Sequence, residues 1–310
     1  MSLACSRARP LLLVVAVLVV AAGCTTRPTA DAVSTFAVAL EGASTSVKQG
    51  LGEIQRLETA FNDAAVAERF IREPDPNIQF GGNKNLTDDA IAPRVAYFDA
   101  LSKYAESLAA AVSEEQLDGV RTKFAATGKA FADVGGKAMA QSGKSLPGGL
   151  AAGIAKATGG LAAVMVEEKL HREVPVIVAA VHDDLKTGVE AFKADLGDPD
   201  AGGFRAILHD SIETLVGQKK KLLLIIKSEG QTPSGAMYDA VLKAQAEVRK
   251  LRDSARLLDA IPPTLDKLLE AHEALKSPTD ASARAKIQAF FERAKDLQAI
   301  ASDLRSAAMS

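Results

Sequence analysis

The sequence predicts an all-α protein, an elongated helical bundle with long coiled-coil-like helices, and three observations carry that expectation. Apolar residues recur at spacings of three and four along most of the chain, and proline and glycine cut it into long segments. No segment has the period-two alternation of a half-buried strand. The elements follow in chain order.

Residues 1–23 have the layout of an export signal. Arg7 and Arg9 form a basic head without acidic residues, Leu11 to Ala22 is unbroken and apolar, and small residues close the stretch. A run of about 12 residues is too short to span a bilayer, which takes about 20. The stretch Val20-Ala21-Ala22-Gly23-Cys24 resembles the lipobox of bacterial lipoproteins, with Ala21 where leucine is commonest. That resemblance covers the leader alone. It implies cleavage before Cys24, a lipid (palmitate among its acyl chains) on Cys24, and attachment to a membrane; several acyl chains on one residue anchor firmly. Thr25 stands where lipoproteins kept at the inner membrane often have Asp, so the resemblance points to the outer membrane. The cysteine count agrees: Cys5 leaves with the leader, and Cys24 is then the single cysteine of the mature chain. Residues 24–28 are expected as a short lipidated linker, and residues 29–310 as one helical-bundle domain.

A first helix is expected over 29–73, with Val33, Phe36, Leu40, Ala43, Val47, Ile54, Leu57 and Phe61 as a narrow seam. Gly42, Gly50 and Gly52 lower its propensity, so it needs partner helices. Pro74-Asp75-Pro76 ends it, and a loop extends to Leu86. Thr87 can cap a second helix to Val112, with Pro93 tolerated in or near its first turn. Ser113-Glu114-Glu115-Gln116 is a capping-box pattern opening a third helix to about Gln141. Residues 146–196 read as helix with a kink or break at Pro175. A fifth helix over 203–228 carries Phe204, Leu208, Ile212, Leu215, Leu222 and Ile226. Ser234 opens a sixth, seamed without interruption by Met237, Val241, Ala244, Val248, Leu251, Ala255 and Leu258. Ile261-Pro262-Pro263 should break it, Thr264 capping a short seventh. After Ser277-Pro278 comes a last helix seamed by Ile287, Phe291, Ala294, Leu297 and Leu304.

Charge gives no case for nucleic acid. Taking Arg7 and Arg9 from 37 basic residues leaves 35 against 39 acidic, a formal −4 without the basic excess such binding needs. Aromatic residues at 5% and the absence of tryptophan disfavour a sugar-stacking site. The histidines are His171, His182, His209 and His272, none four residues from another, so no HExxH-type metal spacing exists. His182-Asp183-Asp184 reads as an exposed polar turn, since adjacent helical residues point apart. There is no nucleophile elbow, Walker loop or dinucleotide fingerprint. Glu114-Glu115 and Glu167-Glu168 read as solvated helix positions. No catalytic residue, metal site or cofactor is therefore expected. Lys219-Lys220-Lys221 precedes Leu222-Leu223-Leu224-Ile225-Ile226; a segment lying on anionic lipid is one reading, a deeply buried helix with a solvated lysine turn the favoured one.

Residues 146–166, LPGGLAAGIAKATGGLAAVMV, carry one charge, Lys156, and a small-xxx-small pair in Gly149 and Gly153. With the apolar patch 174–181 they form a hairpin similar in layout to the insertion element of α-helical pore-forming toxins, without a shared motif. The plainer reading is a central helix buried on all sides. The expected function is a non-enzymatic binding or scaffolding role in the envelope, facing the periplasm, with envelope proteins as partners met along helix faces or by the 74–86 loop. A membrane-active protein and an enzyme assembled from dispersed histidines and carboxylates are the alternatives.

Overall fold

The computed structural model describes residues 9–72, 87–113, 117–143, 148–165, 173–197 and 235–309, with individual positions from 205 to 224; the side chains of 9–28 are not among them. The described residues are almost entirely helical and include no β-strand, an all-α bundle as the spacing predicted.

Helix α1 spans Arg9–Arg72. It begins 20 residues before the expected start and includes residues 24–28, the segment expected as a lipidated linker. The helix passes through Gly23 and Pro28, residues that ordinarily weaken or interrupt one. Val33, Phe36, Leu40, Ala43, Val47 and Ile54 are buried as expected; Leu57 and Phe61 lie outside the described side chains. Ala32, Ala37, Ala39, Ser44 and Leu51 are buried too. The stripe is wider than a coiled-coil seam because α1 packs against three helices: α2 (Asp88–Ser113), α6 (Gly235–Ala274) and α7 (Ala281–Met309). At Gly50 a Cβ would come within 2.1 Å of Leu257 Cδ2, so this glycine sets how closely α6 approaches.

Thr87 caps α2, its Oγ1 accepting from the Ala90 amide at 3.2 Å. Asp88 and Asp89 add negative charge to the first turn, where the helix dipole favours it. Pro93 sits inside α2, just past that turn. Ser113 is the last residue of α2, its hydroxyl donating back to the Ala109 carbonyl at 2.8 Å. Residues 114–116 lie outside the described part. Helix α3 spans Leu117–Ala140 and joins α2 through Ser107 Oγ and Thr127 Oγ1, 2.8 Å apart and buried.

Within 146–196 the described residues form two helices, α4 (Gly148–Met165) and α5 (Val174–Leu196), with Pro175 in the first turn of α5. Proline there breaks the path and starts a helix, because its missing N–H is one the first turn leaves unbonded anyway. Small residues decide how α4 and α5 pack. An added Cβ at Gly153 would lie 2.3 Å from Ala191 Cβ, one at Gly160 would overlap the Asp184 carboxylate, and one at Gly188 would lie 3.0 Å from Ala157 Cβ. The antiparallel contact thus runs Gly153–Ala191, Ala157–Gly188, Gly160–Asp184. Gly149, expected to pair with Gly153, meets nothing within 4 Å. Helix α4 is also not buried on all sides: Leu150, Ala151, Ile154, Ala157, Thr158 and Leu161 face the core, while Ala152, Lys156, Gly159 and Ala163 are exposed. It lies between α3 and α5, and its bulky residues are used there.

Gly188 is hemmed in from a second helix as well, since a Cβ there would also meet Tyr97 Oη and Cζ of α2. Tyr97 is fully buried and has no room to retreat. Gly188→Ala should destabilise the protein by roughly 1–3 kcal/mol, the usual cost of overpacking. A urea titration of the full chain followed by circular dichroism measures this, and an unchanged midpoint would refute the packing.

The expected break at Pro262-Pro263 does not occur. Helix α6 runs through both prolines. Leu257, Leu258, Ile261, Leu265 and Leu268 are all buried around them, and that packing outweighs two absent amides. Thr264 caps nothing; its hydroxyl donates to the Ala260 carbonyl at 2.7 Å, inside the same helix. A tight turn follows, with Ser277 and Asp280 amides donating to Ala274 and Ser277 carbonyls, and α7 returns along α6. Its core face is Ile287, Phe290, Ala294, Leu297, Ala301 and Leu304, an alternation of three and four. Phe290, and not Phe291, fills the core, 5.7 Å from the Phe36 ring. Phe291 is half-buried beneath Lys295 Nζ.

Candidate functional site

Two places in the bundle combine features with chemical potential. The first is interior. Helix α5 carries His182, α6 carries His272 and α2 carries Tyr104, and packing brings the three into one chain of hydrogen bonds. Tyr104 Oη lies 2.8 Å from His272 Nε2, and His272 Nδ1 lies 3.1 Å from His182 Nδ1. The imidazoles are stacked, with centroids 5.3 Å apart, and Phe36 closes one side of His272 at 5.8 Å. His272 and Tyr104 are fully buried, His182 half-buried.

A neutral imidazole has one N–H and one bare nitrogen, which fixes the direction of the chain. With Tyr104 donating to Nε2, the Nδ1–H of His272 donates to His182 Nδ1 and every buried proton has an acceptor. The reverse order leaves the tyrosine proton without one. Burial, first of all, then the neighbouring His182 and Lys276, lower the His272 pKa to about 3. His182 is lowered as well, by burial and Lys276, against an opposing pull from Glu273 and Asp183. Burial raises Tyr104 above the ordinary tyrosine value. The cluster is therefore a neutral polar network. No carboxylate bonds to it, and no group of three His, Cys, Asp or Glu side chains able to hold a metal occurs among the described residues.

This arrangement differs from the sequence expectation. His182-Asp183-Asp184 is not an exposed turn; it lies in the middle of α5, with His182 turned inward. His209 stands apart, 3.6 Å from Asp259 Oδ1, an oxygen that Arg205 also engages at 2.6 Å. His171, Glu114-Glu115, Glu167-Glu168 and the 74–86 loop lie outside the described residues. The pairing of His182 with His272 spans 90 positions and two helices. No local motif could announce it.

The second place is a surface cleft of about 460 Å³ between α6 and the 205–224 stretch, whose described positions are helical. Val216, Val241, Ala244 and Val248 line it, together with Lys220, Gln245, Arg249 and Arg252. Here the seam expected to run without interruption is open: Val241, Ala244 and Val248 are half-buried, and continuous burial resumes only at Leu251. Alanine between two valines leaves the gap. Tyr238 and Leu242, on the same stretch of α6, are 66% and 45% exposed. Lys220 and Lys221 are exposed, and so is Leu224 at 63%, so this segment is not deeply buried there; Lys219 lies outside the described residues. Among the described residues no helix is long and apolar enough to cross a membrane.

A volume of this size falls in the range of small-molecule sites, which are mostly apolar with a few convergent polar groups. The described geometry thus offers a buried polar network and an open cleft. Compared with family models, curated proteins and solved structures, the chain matches none.

Proposed function

We propose that this chain is a lipid-anchored envelope protein with a binding or scaffolding role and no catalytic one, held by a lipid on Cys24 at the outer membrane and facing the periplasm. The observation that carries the binding role is the α6 cleft, an apolar floor left open in an otherwise close-packed bundle and bordered by cations. The leader pattern ending in Cys24 supports the address.

The anchor and the binding role are tested separately. Cys24→Ala should leave a species that is neither cleaved nor acylated, seen as a mass difference by intact mass spectrometry. Normal maturation with full membrane retention of that variant would remove the lipid assignment. For binding, crosslinking in whole cells should trap envelope partners on the wild-type protein, through contacts at Tyr238, Val241 or Leu242. Failure to trap any partner would count against the role.

A further inference from the structure

The cleft is polarised along the axis of α6. Val241, Ala244 and Val248 form its floor, Arg249 and Arg252 follow toward the C-terminal end of the α6 wall, and Val216 and Lys220 lie on the other wall. Spacings of three and four keep 241, 244, 248 and 252 on one helix face. Tyr238 and Leu242 are exposed on the same stretch of α6. On the α6 wall the apolar positions come first and the cationic ones follow.

The three cations are uncommitted. Arg205 pairs with Asp259, and Arg256 with Asp253. None of Lys220, Arg249 and Arg252 pairs with a carboxylate among the described residues, and Gln245 is the one uncharged polar residue in the lining. An apolar floor offers nothing to a polar ligand body, and cations at its border without a carboxylate partner favour an anion.

We infer that the cleft binds a single-chain amphiphile with one anionic head, its chain on Val216, Val241, Ala244 and Val248 and its head held by Lys220, Arg249 and Arg252. This rests on the binding role proposed above and specifies its ligand. The head can be the carboxylate of a free fatty acid or the phosphate of a lysophospholipid; both present one anionic group on one chain.

The test is photo-crosslinking of the purified full chain with a diazirine-bearing palmitate, the labelled residues mapped by mass spectrometry. Label is expected within 241–248. Unlabelled palmitate or lysophosphatidylglycerol should compete it away, the stronger competitor naming the source, while hexadecanol should compete at least tenfold less well. Arg249→Glu with Arg252→Glu, both exposed and without packing roles, should lower labelling at least tenfold with the circular dichroism spectrum unchanged. Equal competition by hexadecyltrimethylammonium, indifference to the charge reversal, or label confined to the apolar leader would each overturn the inference. If no amphiphile labels the cleft but a protein partner or a second copy crosslinks there in cells, the ligand class fails and the binding role stands. If neither is found, both fail.

Discussion

Asp195→Ala should destabilise the bundle by about 3–5 kcal/mol, the largest single-site loss expected from any ion pair here. Arg94 on α2 and Asp195 on α5 form a two-pronged pair, Nε to Oδ2 and Nη2 to Oδ1, both 2.7 Å. Their side chains are only 6% and 3% exposed. Arg94 Nη1 also donates to the Ala90 carbonyl, so the guanidinium is held on α2 independently of its partner. Removing the carboxylate would strand a fixed, desolvated positive charge that cannot neutralise itself by losing a proton. Attraction between the two ions is offset by the cost of drying them, and replacing both is therefore much milder than removing one. Arg94→Met with Asp195→Leu should recover most of the loss. Urea midpoints of the three proteins decide the matter; an Asp195→Ala loss below about 1 kcal/mol would show that the charge finds water.

The second large effect is acid sensitivity seated at His272. Its folded pKa, lowered to about 3 chiefly by burial, lies below the roughly 6.5 of an unfolded histidine. A depressed value means that the folded protein holds this site neutral while the unfolded chain takes up a proton. Above about pH 6.5 both forms are neutral, and the site adds no pH dependence. Below that, stability should fall by about 1.4 kcal/mol per pH unit from this group alone, reaching roughly 4–5 kcal/mol near pH 3. His182 titrates in the same direction, and its protonation would set an N–H against the N–H of His272. In His272→Phe the ring is kept and the titration removed, though Tyr104 and His182 lose a partner. That variant should be weaker at pH 7 by about 1–3 kcal/mol and flatter with pH. Parallel stability profiles between pH 7 and 4 would mean that His272 is not the source.

Much of this architecture is legible in the residues themselves. Thr87 sits three positions before the amide it caps, and Val33 to Ile54 repeat with the helical period, so both were visible as local patterns. Where neighbours decide, local patterns mislead. Phe290 and Phe291 are equally apolar, and packing against neighbours such as Phe36 selects the first. Ser113 has the identity of a cap, yet its hydroxyl serves the end of the preceding helix. The two candidate sites illustrate the limit further. His182 and His272 meet only after α5 and α6 pack, and the half-buried state of Val241, Ala244 and Val248 depends on the spacing of another segment. Composition records the ingredients of such sites without their distances.

The double proline in α6 has a mechanical meaning. Pro262 and Pro263 cannot donate to the carbonyls of Leu258 and Asp259, so the rod loses two successive rungs at one level. Nothing within the helix compensates; Thr264 serves Ala260 instead. Continuity at this level is thus supported from outside, by the buried leucines and Ile261 where α6 packs against α1 and α7. The rod is stiff only while it is embraced. Its softest level also separates the segment bearing the cleft from the segment bearing His272, so any loosening of the surrounding grip bends the first against the second.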